Sequence, residues 1–87
     1  MKLLEEIIIP KDTVNDDEVR IVDIYVKNGD LCQKDSSIID IETSKANVEL
    51  FNKTEGYIEI LVNMDDIIKI GAVVAKVWDS KIKKIKQ

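Results

Sequence analysis

Histidine is absent from this 87-residue chain, and with it go the commonest general base and the commonest metal ligand. Every Ser-His or Cys-His nucleophile pair is excluded by the same absence. A single cysteine, Cys32, rules out an internal disulfide and suits a reducing compartment. Without histidine or a second cysteine, a zinc site is not expected. Three glycines and one proline leave little material for a substrate-enclosing loop, so unaided catalysis is not expected. Aromatics make up 5% of the residues, so a core must come from aliphatic side chains. No apolar run approaches the roughly 20 residues of a membrane span. The opening "MKLLEEIIIP" has glutamates inside its apolar part and no small-residue cleavage site. It does not read as a secretory signal, and a cytoplasmic chain is the expectation.

What is present is isoleucine and valine in alternation with polar residues, the pattern of half-buried strands. Charge is uneven. The last eight residues, "SKIKKIKQ", carry four lysines and no acid, whereas residues 1–79 carry nine basic and 17 acidic groups. An acidic body argues against nucleic acid, which needs clustered lysine and arginine. Residues 1–79 read as one domain and 80–87 as a basic, solvated tail.

An internal repeat organises the domain. Shifted by 36 residues, "VDIYVKNGDLCQKDSSIIDIE" (22–42) falls on "IEILVNMDDIIKIGAVVAKVW" (58–78). Each half reads as strand, turn, strand: "VDIYV", "KNGD" and "SIIDI", then "IEILV", "NMDD" and "AVVAKV". Asn28-Gly29 is a strong turn signal. Asp65 occupies the position equivalent to Gly29, and aspartate tolerates the left-handed region, so the same turn is expected there. Two such halves, each marginal alone, predict a flattened all-β barrel or sandwich with an approximate two-fold axis. The N- and C-terminal strands should meet at one end, and the connecting bend "ETSKA" should project at the other.

That bend carries Lys45. A solvated charge is the default for any one of twelve lysines. Three features set Lys45 apart: a hairpin tip, small neighbours in Ser44 and Ala46, and rigid strands that present it reproducibly.

The stretch "IDIETSKANVEL" resembles the attachment motif of lipoyl domains. The resemblance runs from Ile7 to Val77 and includes the first strand ending in Pro10, the "NGD" turn, the "EGYI" approach to the second repeat and Gly71 before the last strand. It implies a barrel-sandwich hybrid of two four-stranded antiparallel sheets with quasi-two-fold symmetry. It also implies lipoate joined in amide linkage to Lys45, and a non-catalytic, swinging-arm carrier of the 2-oxo acid dehydrogenase type. The implied partners are a lipoate ligase or lipoyl transferase, an acyl-donating dehydrogenase, an acyltransferase and dihydrolipoamide dehydrogenase, with the domain itself monomeric. Neither nucleic acid nor membrane is among them. Ser44 stands where the family commonly has aspartate, and Asp65 where it usually has glycine. Candidate recognition residues are Glu42, Thr43, Ser44, Ala46 and Glu49 around the lysine. Thr13, Val14, Asn15 and Asp16 join them from the loop after the first strand.

Two alternatives stay open. Biotinyl domains share the fold, but methionines normally flank their lysine. An unmodified barrel-sandwich module, as in periplasmic adaptors, normally has a helical hairpin between its halves and an export signal. Cys32 reads as a small apolar residue and Trp78 as packing at the end of the last strand.

Overall fold

The β-branched alternation produces eight strands in the computed structural model, which describes residues 1–11 and 17–82. They are β1 (Leu3–Ile8), β2 (Glu18–Ile24), β3 (Leu31–Cys32), β4 (Ser37–Glu42), β5 (Asn47–Phe51), β6 (Gly56–Ile60), β7 (Ile67–Lys69) and β8 (Val73–Trp78). One antiparallel sheet has the order β1-β8-β6-β3 and the other β5-β4-β2-β7. The body measures 37 × 28 × 18 Å, the flattened barrel-sandwich expected.

The repeat is real, but the sheets are not the repeats. Between the turn and the last strand of each half lies a short strand that the hydropathy pattern did not separate. It crosses over: β3 pairs with β6 of the second half, and β7 with β2 of the first. The turns cross likewise. Gly29 N–H donates to Ile58 O at 2.8 Å, and Asp65 N–H donates to Ile21 O at 2.8 Å. Within each turn an aspartate caps the backbone three residues back, Asp30 accepting from Lys27 N–H at 2.9 Å and Asp66 from Asn63 N–H at 2.8 Å. Gly29 has φ 90° and Asp65 φ 70°, so the equivalent residues do adopt the same left-handed turn. This mutual exchange makes one core of two halves that would each leave an apolar face in water.

The core is aliphatic. Ile9, Ile21, Ile38, Ile39, Ile41, Ile58, Val74, Ala75 and Val77 are fully buried, and no aromatic residue is among the buried set. Ile21, not Val22, turns fully inward, because the register of β2 on β4 shifts between Ile21 and Asp23. Cys32, read from the sequence as a small apolar residue, is buried at 4% exposure. Burial first, then Asp30, raises its thiol above the ordinary range, so the neutral form is held.

Asn52 is a fully buried polar side chain that periodicity cannot reveal. Its amide oxygen accepts from Ser36 N–H at 2.9 Å, and its amide nitrogen donates to Thr54 O at 3.0 Å and Cys32 O at 3.4 Å. Its backbone carbonyl accepts from the N–H of Asp35, which has φ 67°. Asn52→Ala leaves these groups without partners and should cost roughly 2 kcal/mol, measured as a lower urea midpoint. Asn52→Asp should not rescue it, because a carboxylate cannot donate to two carbonyls.

Beyond β1 and β8, Lys2 and Asp79 are stitched together. Lys2 N–H donates to Asp79 Oδ1 at 2.7 Å and Asp79 N–H to Lys2 O at 3.0 Å. As expected, the first and last strands are partners, with Ile7 opposite Ala75.

Candidate functional site: the β4–β5 hairpin

Strands β4 and β5 run in register to Glu42 opposite Asn47, and four residues make the bend. Thr43 N–H donates to Ala46 O at 3.0 Å, leaving Ser44 and Lys45 at the crest. Two-residue hairpin loops usually need positive φ, hence glycine or asparagine. Neither Ser44 nor Lys45 has one. The Thr43 hydroxyl supplies the missing organisation. It accepts from Lys45 N–H at 3.2 Å and Ala46 N–H at 3.1 Å, and it donates to Ala46 O at 2.7 Å. Such a side-chain-closed turn is what a serine or threonine offers in place of a backbone turn. Ser44, Lys45 and Ala46 are exposed, and Thr43 is half-buried beneath them.

Thr43→Val keeps the shape and removes all three hydroxyl contacts. It should cost about 1–2 kcal/mol and speed amide hydrogen exchange at Lys45 and Ala46, while Thr43→Ser restores both. Unchanged exchange in the valine variant would mean that the strands alone hold the bend.

The foot of the hairpin is tied down by a residue that the sequence reading passed over. Arg20, the one arginine in the chain, lies opposite Glu42 in the β2–β4 ladder. Its Nε donates to Glu42 Oε1 at 3.0 Å, its Nη2 stands 2.9 Å from the same oxygen, and its Nη1 donates to Asp65 Oδ1 at 2.7 Å. The hydrogen bond and charge of Glu42, then Asp65, raise the guanidinium above its already high ordinary value. Arg20 thus links the base of the lysine hairpin to the left-handed turn of the other half. A lone arginine among lysines was the signal available, since only a planar fork can bridge two carboxylates in fixed geometry. Glu42, a candidate recognition residue from the sequence, is an ion-pair partner here. Beside it an open hollow of about 280 Å³ is lined by Glu18, Val19, Arg20, Glu42, Thr43, Ser44 and Ile67.

Glu49 belongs to a different cluster. Asp23 faces Asp40 across β2–β4, and Asp40 faces Glu49 across β4–β5, so three carboxylates cross the outer face in a row. Burial first, then Glu49 and Asp23, raises the Asp40 carboxyl above its ordinary value. Burial followed by Asp40, Asp23 and Glu49 likewise raises the Tyr25 hydroxyl. The folded chain therefore holds the Asp40 proton more tightly than the unfolded chain. Stability falls as pH rises from the ordinary carboxylate value through the raised one, and at neutral pH the row opposes folding. Asp40→Asn should raise the urea midpoint at pH 7 and low salt, with the gain shrinking as salt is added.

Thr13, Val14, Asn15 and Asp16 lie outside the described residues. Among those described, no three His, Cys, Asp or Glu side chains gather as a metal site would require.

This geometry is a lysine held at the crest of a turn closed by the Thr43 side chain. Comparison with known proteins agrees with it. The dihydrolipoyllysine-residue acetyltransferase component of the pyruvate dehydrogenase complex from Buchnera aphidicola subsp. Baizongia pistaciae (strain Bp) is 35% identical to the chain over 63 residues. That match covers 71% of this chain and 15% of the Buchnera protein. The family model described as "Biotin-requiring enzyme" matches residues 5–77, nearly the whole described barrel, and the chain belongs to this biotin/lipoyl attachment family.

Proposed function

We propose that the chain is a lipoyl carrier domain, with lipoate in amide linkage to Lys45. The observation that carries this reading is the hairpin, which exposes Lys45 between Ser44 and Ala46 on a turn closed by Thr43. An acylating enzyme must reach the lysine Nζ from outside, and small neighbours leave it room. In that reaction the Nζ–carbonyl carbon bond forms, Nζ gives up a proton, and the leaving group of an activated lipoyl donor departs. Bound lipoate would supply a dithiolane that exchanges between disulfide and dithiol. The chain's own residues hold and direct the attachment point, through Thr43 within the turn and Arg20 at its foot.

Lipoate is favoured over biotin by the flanking residues, which are not methionines, and by the dihydrolipoyllysine in the Buchnera protein's name. Because that relative is an acyltransferase component, we place this domain in a 2-oxo acid dehydrogenase type of assembly. Its partners there are a lipoate ligase, an acyl-donating dehydrogenase, an acyltransferase and a dihydrolipoamide dehydrogenase. Its contribution is tethering, which raises the effective concentration of the carried group at successive active sites.

The test is intact mass and peptide mapping after incubation with lipoate ligase, ATP and lipoate, with biotin ligase, ATP and biotin in parallel. A single lipoyl increment on the Lys45 peptide supports the carrier. A biotinyl increment instead would move the chain to the biotin branch. No increment in either reaction, beside an active control substrate, would leave an unmodified structural module.

A further inference from the structure

The edge strands β1 and β5 belong to opposite sheets, and where they face each other the barrel leaves an open groove of about 580 Å³. Ile7, Ile8 and Pro10 line one wall, and Val48, Leu50 and Phe51 the other. Ile8 and Phe51 keep 43% and 44% of their surface exposed, so the groove offers large apolar side chains to whatever enters it. One end is closed by Glu5, whose carboxylate accepts from Lys53 N–H at 2.9 Å and Thr54 N–H at 3.0 Å. The other end is marked by Val48, three residues along the chain from Lys45. At strand spacing that is roughly 10 Å. A lysine side chain extended by an eight-carbon acyl chain is longer than this span.

We propose that this groove is the resting site of the acyl arm on Lys45, the arm lying back along β5 against Val48, Ile8 and Phe51. The inference rests on the carrier reading above. The occupant is set by chemistry and by tether. An amide-linked lipoyl arm carries no charge on its amide and is mostly hydrocarbon, which suits the Ile8, Val48 and Phe51 side chains, although Glu5, Glu6, Lys11, Glu49 and Lys53 complete the lining. A second molecule would have to be recruited from solution, whereas the arm is already present at an effective concentration of about millimolar. A groove with only millimolar intrinsic affinity is then about half occupied, so resting would slow a partner's access to the arm only about twofold. The resting state withdraws the dithiolane from bulk water without trapping it.

The test compares nuclear magnetic resonance spectra of the apo and lipoylated chains, with the increment verified by mass. The arm should shift Ile8 methyl and Phe51 ring resonances as well as those of 44–47, and Ile8→Thr or Phe51→Thr should each abolish the remote shifts. Reduction of the dithiolane by a small phosphine should become about twofold faster in either variant. Either variant suffices if the other fails to fold. Shifts confined to 44–47, with equal reduction rates, overturn the resting site and leave the carrier intact. If the ligase adds nothing, the carrier reading fails, and free lipoamide is titrated onto the apo chain. Shifts at Ile8 and Phe51 near millimolar lipoamide retain the groove as a lipoamide site, and their absence removes it. Apo shifts at these residues that grow with protein concentration would assign the groove to a second copy and overturn the proposal.

Discussion

Lys45→Arg should take up no lipoyl group in a ligase reaction expected to convert the parent chain, and its urea midpoint should be unchanged. Arginine keeps the positive charge, the length and the exposure, and position 45 has no need of a special backbone, since its φ is not positive. What changes is the nucleophile. A lysine amine can lose a proton and form an amide, whereas a guanidinium stays protonated at any working pH. Eleven other lysines remain in this variant, so the loss measures position as well as chemistry. Acylation that persists in Lys45→Arg, on another lysine, would show that the hairpin crest is not what the ligase reads.

Gly56→Ala should be the most damaging of the three glycine-to-alanine substitutions. Gly56 opens β6 beside β8, and a Cβ built there would lie 2.5 Å from Trp78 O and 2.6 Å from Val77 Cγ1. Overpacking typically costs about 1–3 kcal/mol, when side chains can shift. One of these contacts is a backbone carbonyl in one of the two inner strands of a sheet, which cannot turn aside without breaking the β6–β8 ladder. A loss of about 3 kcal/mol or more is expected. An 87-residue domain has only about 4–13 kcal/mol to lose. In urea the midpoint should fall by about 2–3 M, for a slope near 1–1.5 kcal/mol/M. Gly29→Ala is the comparison. Its Cβ would meet open space, so only the left-handed φ of 90° opposes it. If both variants unfold at the same urea concentration, close packing at Gly56 is not the dominant constraint.

Gly56 also shows what a sequence reading misses. Glycine before an alternating strand looks like turn punctuation, and Gly71 does serve that way, with φ 87°. At Gly56 the cause is a neighbour 22 residues away in the chain, and no local pattern carries that. Asp65 is the opposite case. Its placement opposite Gly29 in the repeat was enough to anticipate the turn, because local backbone sterics decide which residues tolerate positive φ.

The longer strands, the aliphatic core and the exposed lysine bend were legible because each rests on local regularities: period-two alternation, β-branched composition and a 36-residue repeat. The short strands β3 and β7 were not legible. Leu31 and Ile67, their apolar first residues, are 55% and 57% exposed, and strands of two and three residues are too short to show an alternation. What makes them strands is pairing across the two halves. The same holds around the hairpin. Sequence alone determined which lysine stands at the tip, since the alternation stops at "ETSKA" and resumes after it. Only the tertiary structure decided what steadies that tip, by carrying Arg20 from β2 between Glu42 and Asp65. It also decided what lies beside the tip, by setting β1 and β5 against each other across a groove. Strand formation is governed by near neighbours, whereas ion pairs and grooves are made between residues tens of positions apart, which meet only once both sheets are closed.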